Sequence, residues 1–237
     1  MSAARKSYST PDEPKTKINK NGSVYKIRDI LNSQDKILTF QPHQHLFFEE
    51  DIISGCYEIL GGVAMVYRLL PDGRRHILSF EGAGDMLGFP LASDHCEENA
   101  EALTPLAVTF KPASHLDMTL SEDAEFRRRV VKWLQRRISR SDKFAVMLGR
   151  KTAMERSASF LLEMESLLVR DDGGFVLIPM RRCDIADHLG LTLETISRKF
   201  NALHRQGVID LPQHDRFRVL DQVALHRLAG ETDSSVV

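Results

Sequence analysis

The sequence predicts an α+β chain in three parts: an N-terminal antiparallel β-roll or jelly roll, a long dimerisation helix, and a C-terminal winged helix-turn-helix. Three observations predict it. Between Ile37 and Leu116, short apolar runs alternate with glycine-bearing turns, as in small antiparallel barrels. From about Glu122 to Lys151 the apolar spacing becomes three and four, with no Gly or Pro before Gly149, which is helical. From Cys183 to Leu203, two helical patterns flank Gly190.

The composition sets bounds. The chain has 237 residues, 42% hydrophobic and 27% charged, enough for one large or two modest domains. Its net charge is -1, so any attraction to nucleic acid must come from local basic patches. Its 3 cysteines, Cys56, Cys96 and Cys183, are too few for a disulfide framework and fit a reducing compartment. No apolar run is long enough to span a bilayer, and the first residues lack a signal-peptide core. The expectation is a cytoplasmic protein with no membrane partner.

Taken in order, residues 1–30 are polar and lysine-rich with Pro11 and Pro14, the composition of a mobile N-terminal tail. Residues 31–118 hold the β-roll. Its strands are read at Leu46–Phe48, Tyr57–Leu60, Val63–Tyr67, Ile77–Phe80 and Ala107–Phe110, with turns at Gly61-Gly62, Pro71-Asp72-Gly73 and Glu81–Asp85. Residues 119–152 hold the long helix. Val131, Leu134, Ile138, Ser141, Ala145, Leu148 and Thr152 form a heptad seam. A β-roll alone cannot cover such a strip along a whole helix, so a second copy of the chain is the simplest cover. Val131, Leu134, Ile138, Ala145 and Leu148 are the expected dimer interface. The arginines between Arg127 and Arg137 read as a solvated face.

Residues 153–237 hold the last part. A helix at about Ala153–Leu168 leads through Asp171–Gly174 to a strand at Phe175–Ile178. The helix-turn-helix follows, then a hairpin from Val208–Leu211 and Phe217–Leu220, and a closing helix at Asp221–Leu228. Gly190 ends the first helix of the motif because glycine enters the left-handed region without a Cβ penalty. Thr192 suits the N-cap of the second. Ile196, Phe200 and Leu203 bury its inner face, leaving Glu194, Ser197, Arg198 and Lys199 outward. Those side chains suit base reading in a major groove. An arginine donates twice to guanine, and a carboxylate accepts from cytosine. Glu194, Ser197 and Arg198 are the expected base contacts, and Thr192, Lys199 and Arg205 the expected contacts to the DNA backbone.

The order of β-roll, seam helix and winged helix-turn-helix resembles the Crp-Fnr superfamily of bacterial transcription regulators. The specific segments are Gly84–Phe89, Lys151–Arg156 and Leu191–Arg198. Glu194-x-x-Ser197-Arg198 is similar to the Fnr-type reading set, which implies a TTGAT-like half-site and its inverted repeat, bound by a homodimer that recruits RNA polymerase. Fnr-type oxygen sensors carry an N-terminal cysteine group for an iron-sulfur cluster, whereas no cysteine precedes Cys56. Cyclic-nucleotide-binding members carry Gly-Glu and a later Arg-Ser. Here Gly88 is followed by Phe89, and the later stretch is the acidic Glu98–Glu101. The resemblance is therefore to the FixK-type branch, which implies activation of genes of low-oxygen respiration and nitrogen fixation, with no cofactor.

Cys183 sits at the start of the motif's first helix beside Arg181 and Arg182. Basic neighbours and a helix N-terminus favour a thiolate. Oxidation there would add negative charge beside DNA phosphates, which makes Cys183 a candidate redox brake. Two other readings compete. His43, His45, Glu49 and His95 echo the ligand spacing of cupin metal-dependent enzymes. The β-roll histidines could also serve a haem- or ligand-sensing regulator.

Overall fold

A computed structural model describes residues 36–89 and 95–231. The expected tail at 1–30 lies outside the described residues. Among the described residues, eight strands form the N-terminal part: β1 (Lys36–Phe40), β2 (His45–Phe47), β3 (Gly55–Gly61), β4 (Ala64–Leu69), β5 (Arg75–Glu81), β6 (Met86–Leu87), β7 (Asn99–Ala102) and β8 (Leu106–Pro112). They make two antiparallel four-stranded sheets, ordered β1-β8-β3-β6 and β2-β7-β4-β5. The period of 2 along each strand decides which core each residue joins. On β4, Ala64 and Val66 point between the sheets to meet Ile59, Leu87 and Val108. Met65 and Tyr67 point outward and, with Ile77 and Phe80, join a core shared with the C-terminal half. Strand β4 is thus covered on both faces, which explains why Ala64–Tyr67 reads as a continuous apolar run.

Helix α1 (Ala113–Glu122) follows β8 directly, and α2 (Ala124–Arg150) follows α1 after Asp123 alone. The sequence showed one helix from about Glu122 and no α1. The break is a cap: the Asp123 carboxylate accepts the N–H groups of Glu125 and Phe126, each at 2.9 Å. These bonds hold the Asp123 carboxyl below its usual range, against the opposing pull of burial.

Helix α2 has two working faces. Phe126, Val130 and Trp133 are buried against Cys56, Met86 and Leu116. The same side carries a row of arginines that grip the β-roll. Arg129 donates to Glu58 at 3.0 Å, Arg136 to the Gly84 carbonyl at 2.7 Å and Arg137 to Glu98 at 3.1 Å. Arg140 donates to Glu81 at 2.9 Å and to Asp85 at 2.5 Å. Of the face that the sequence read as solvated, Arg129, Arg136 and Arg137 are therefore engaged, while Arg127, Arg128 and Lys132 are exposed. Burial, with the Asp85 charge beside it, pushes the Glu81 carboxyl well above the usual carboxylate range.

The opposite side of α2 is open. Val131, Ile138 and Val146 are 48%, 61% and 57% exposed, Ala145 is exposed, and Leu134 and Leu148 are half-buried. Thr152 does not extend this strip. It lies past the helix end and caps α3 (Ala153–Leu167), where its hydroxyl accepts from Glu155 N–H and the Glu155 carboxylate accepts from Thr152 N–H.

The C-terminal half contains β9 (Val176–Leu177), α4 (Arg182–Leu189), α5 (Leu193–Arg205), β10 (Ile209–Gln213), β11 (Arg216–Val219) and α6 (Gln222–Leu228). The hairpin β10–β11 extends through β9 into a three-stranded sheet. Its apolar residues complete one core with α3, α4, α5 and the outer face of β4 and β5.

Within that shared core lies His188 of α4, 3% exposed. Its ring stacks on Phe144 at 4.8 Å and meets Phe80 edge-on at 5.1 Å. Nδ1 lies 3.1 Å from the Ile77 carbonyl. A carbonyl only accepts, so Nδ1 carries the proton. Burial pushes the His188 pKa down to about 4 from the ordinary 6.5. The unfolded chain therefore takes up a proton as pH falls through 6.5, while the folded chain resists until about 4. Stability falls across that window, by about 3 kcal/mol for a shift of this size. Denaturant unfolding of wild type and His188→Gln at a series of pH values should show the wild type losing about that much more between pH 6.5 and 4. A constant difference between the two across the window would contradict the buried neutral imidazole.

Candidate nucleic-acid interface

The helix-turn-helix forms where glycine and threonine place it. Gly190 leaves α4 at φ 60° and ψ 41°, and the Leu191 N–H returns to the Ala186 carbonyl at 3.0 Å, closing the turn. Thr192 then caps α5, its hydroxyl accepting from Thr195 N–H at 3.2 Å and meeting the Thr195 hydroxyl at 2.9 Å. Ile196, Phe200 and Leu203 are buried, which fixes the rotation of α5 about its axis and turns the intervening positions outward.

Glu194 and Arg198 lie on that outward side, 72% and 77% exposed, with Arg198 Nη2 donating to Glu194 Oε1 at 2.5 Å. The carboxylate at position i holds the guanidinium at i+4 extended along the helix. Ser197 and Lys199 flank the pair half-buried, and Arg205 is exposed at the helix end. Asn201, exposed as well, completes a strip at 194, 198, 201 and 205. Its place follows from the helical spacing, although sequence reasoning passed over it.

The other end of the motif is held by acids and bases that the sequence did not single out. Asp184 is 2% exposed. It accepts the Arg181 N–H at 2.9 Å and the Arg181 guanidinium at 3.1 and 3.2 Å, and it also accepts from Arg75 of β5. Burial alone would raise its pKa, but these hydrogen bonds and charges hold it below the usual carboxylate range. Arg156 of α3 binds three carbonyls, Leu148 at 2.7 Å, Lys151 at 2.9 Å and Leu189 at 2.9 Å. It thereby caps the C-terminal ends of α2 and α4 with one cation.

Cys183, half-buried, has its sulfur 3.8 Å from Asp184 Oδ1. Arg181 is engaged with Asp184. Arg182 lies over the Phe200 ring at 4.2 Å, and burial lowers its pKa to about 10. Of the flanking arginines expected to act on the thiol, Arg182 is therefore turned into the core.

The cupin-like residues do not converge. His43 bonds Glu101 at 2.9 Å, and His45 bonds the Tyr67 hydroxyl at 2.9 Å. Glu49 faces Asn99 at 3.5 Å. Among the described residues no three His, Cys, Asp or Glu side chains are grouped to hold a metal. Between the β-roll and α2 lies a cavity of about 170 Å³, lined in part by Phe47, Phe89, Glu97, Glu98, Trp133 and Arg137. Phe89 packs on Trp133 at 5.7 Å, and Arg137 is paired with Glu98.

Two family models match the chain: a cyclic nucleotide-binding domain over residues 37–123 and a Crp-like helix-turn-helix domain over residues 155–228. The chain is 38% identical to the nitrogen fixation regulation protein FixK of Bradyrhizobium diazoefficiens, over 81% of each chain. It is 33% identical to that of Rhizobium meliloti, over 82% of this chain and 87% of the other. The structure of FixK2 from Bradyrhizobium japonicum superposes with a TM-score of 0.74 at 32% identity, covering 85% of this chain and 99% of that one.

The turn geometry has a measurable consequence. A Cβ on Gly190 would meet nothing closer than 3.5 Å, so only the left-handed backbone opposes a side chain there. Gly190→Ala should lower unfolding stability by about 1–2 kcal/mol. Gly190→Asn should lower it by less, since asparagine tolerates this region. Equal stability of the alanine variant and wild type would refute the assignment of the turn.

Proposed function

The chain belongs to the FixK-type branch of the Crp-Fnr transcription regulators, and we propose that it acts as a homodimer that binds a TTGAT-like palindrome in double-stranded DNA and recruits RNA polymerase. It is a regulator and not an enzyme, which sets aside the metal-dependent reading of His43, His45, Glu49 and His95.

The observation that carries the reading is the outward strip of α5, where an exposed arginine is held extended by the carboxylate one turn before it. In this reading Arg198 donates to a guanine, Glu194 accepts from a cytosine and Ser197 reaches a base edge. Thr192, Lys199 and Arg205 contact phosphates. The open apolar strip of Val131, Leu134, Ile138, Ala145 and Leu148 supports pairing of two copies through α2. A two-fold pair would set the reading helices one helical turn apart on an inverted repeat. The engaged Arg137 and the aromatic packing of Phe89 support regulation without a cyclic nucleotide. As in the relatives named for nitrogen fixation, the target genes would include those of nitrogen fixation, and the FixK-type resemblance adds genes of low-oxygen respiration. No helix among the described residues is long and apolar enough to cross a membrane, in keeping with a cytoplasmic site of action.

A gel shift on a TTGAT palindrome, with reduced protein and no added ligand, tests this directly. Arg198→Ala should weaken binding by about 1–3 kcal/mol and relax preference at one base position. Lys199→Ala should weaken binding to all sequences alike. If Arg198→Ala left both affinity and base preference unchanged, the reading helix would be wrong.

We further propose that Cys183 restrains DNA binding when oxidised. Each peroxide transfers one oxygen atom to sulfur and leaves as water, and sulfinate or sulfonate is the anionic product. Formed at the N-terminal end of α4, it adds charge where a phosphate must approach. Peroxide treatment should abolish the gel shift of wild type and spare that of Cys183→Ala. Equal loss in both proteins would sink the brake.

A further inference from the structure

The motif is not a free appendage: α4 packs into the core it shares with β4 and β5, and two polar contacts add direction to that packing. Arg75 and Ile77 sit two apart on β5 and so project on one face, about 6.6 Å apart. Asp184 and His188 sit four apart on α4 and share one face, about 6 Å apart. The two spacings match, and each pair is joined. Arg75 Nη2 donates to Asp184 Oδ1, and His188 Nδ1 donates to the Ile77 carbonyl at 3.1 Å. Arg75 also lies 3.9 Å from Asp187.

Arg75 is itself held. Its guanidinium lies over the Tyr67 ring at 5.3 Å, and the Tyr67 hydroxyl is bonded to His45 at 2.9 Å. On the other side, Asp184 is the residue whose carboxylate closes the start of α4 onto Arg181. One point of attachment fixes where a helix sits, and a second fixes the direction in which it runs. The 13 residues of α5 extend from that direction, about 20 Å long, so a change in the angle of α4 is magnified at the DNA.

We propose that Arg75 is a positioning residue for DNA recognition: by holding Asp184 it fixes the angle of the reading helix to the β-roll, and with it the half-site spacing that a pair of chains accepts. This rests on the palindrome reading above. Arg75 touches no base. It acts through Asp184, the cap of α4 and the turn at Gly190.

The test uses the full chain as wild type, Arg75→Ala and Arg75→Lys. Binding is measured on palindromes with the parental spacer and with one base pair added or removed. Wild type should prefer the parental spacer by about tenfold or more, the usual weight of a misplaced contact set. Arg75→Ala should fall to within about threefold across spacers, and Arg75→Lys should recover part of the preference, since it keeps the charge without the fork. A merely structural loss would weaken all spacers alike and leave the preference intact, which would overturn the proposal. Where Arg75→Ala fails to fold by thermal melt, Arg75→Gln carries the same comparison.

A second readout needs no DNA. Nitroxides are placed by Asp117→Cys on α1 and Gln206→Cys after α5, in a Cys183→Ser background, with labelled chains diluted in unlabelled ones. Pulsed electron resonance should give one narrow distance for the parent and a broad distribution for Arg75→Ala. A narrow distance in both would overturn the proposal whatever the gels show. A wild type that binds no palindrome would remove the reading beneath it, while a broadened distance would still support Arg75 as the residue that sets the helix angle.

Discussion

One guanidinium joins the long helix to the reading motif. Arg156 lies across the last carbonyls of α2 and α4, where both helices present unpaired acceptors and negative dipole ends. The arrangement of the molecule depends on it. It ends α2 at a defined residue, it starts α3 through the loop carbonyl of Lys151, and it brings the turn at Gly190 against the same junction. Without a shared cation the two ends would face each other as like partial charges in a half-buried place. With it, the direction of α2 and the position of the motif are set by the same atoms.

The rest of the charge follows a similar pattern. The net charge of -1 conceals a division of labour. Arg129, Arg136, Arg137 and Arg140 face carboxylates and carbonyls of the β-roll, while Arg198 and Arg205 on α5 face solvent. The first set holds the long helix on its neighbour. The second leaves cations where an anionic partner could approach. A sequence with nearly balanced charge therefore supports both a rigid frame and a local basic surface.

Much of this was legible in the sequence, and the exceptions have a common cause. Five strands of the β-roll, the length of α2, the turn at Gly190 and the cap at Thr192 were legible because each is set by residues a few positions apart, whereas β1, β6 and β7 were not read as strands, β7 because its Asn99-Ala100-Glu101-Ala102 lacks an apolar run. Helix α1 was not, because its boundary with α2 is a single capping aspartate inside what reads as one polar helix. The arginines of α2 read as solvated because their partners lie far along the chain, Glu58 at 71 positions from Arg129 and Glu98 at 39 from Arg137. Arg75 and Asp184, 109 positions apart, carry no local signal at all. The outer face of α5 was readable because its inner face is strongly apolar. Cys183 was placed correctly on its helix, but the company it keeps, a carboxylate at 3.8 Å, depends on the fold.

The strip along α2 has a consequence for control. Val131, Ile138 and Val146 stand in water in the single chain. If a second copy covers them, the paired form at low concentration grows with the square of the number of chains. A modest rise in synthesis would then give a steeper rise in competent regulator, with no small molecule needed to sharpen the response. A weak seam, with Ser141 among its positions, keeps that steepness within reach of ordinary changes in abundance, where a tight one would saturate early.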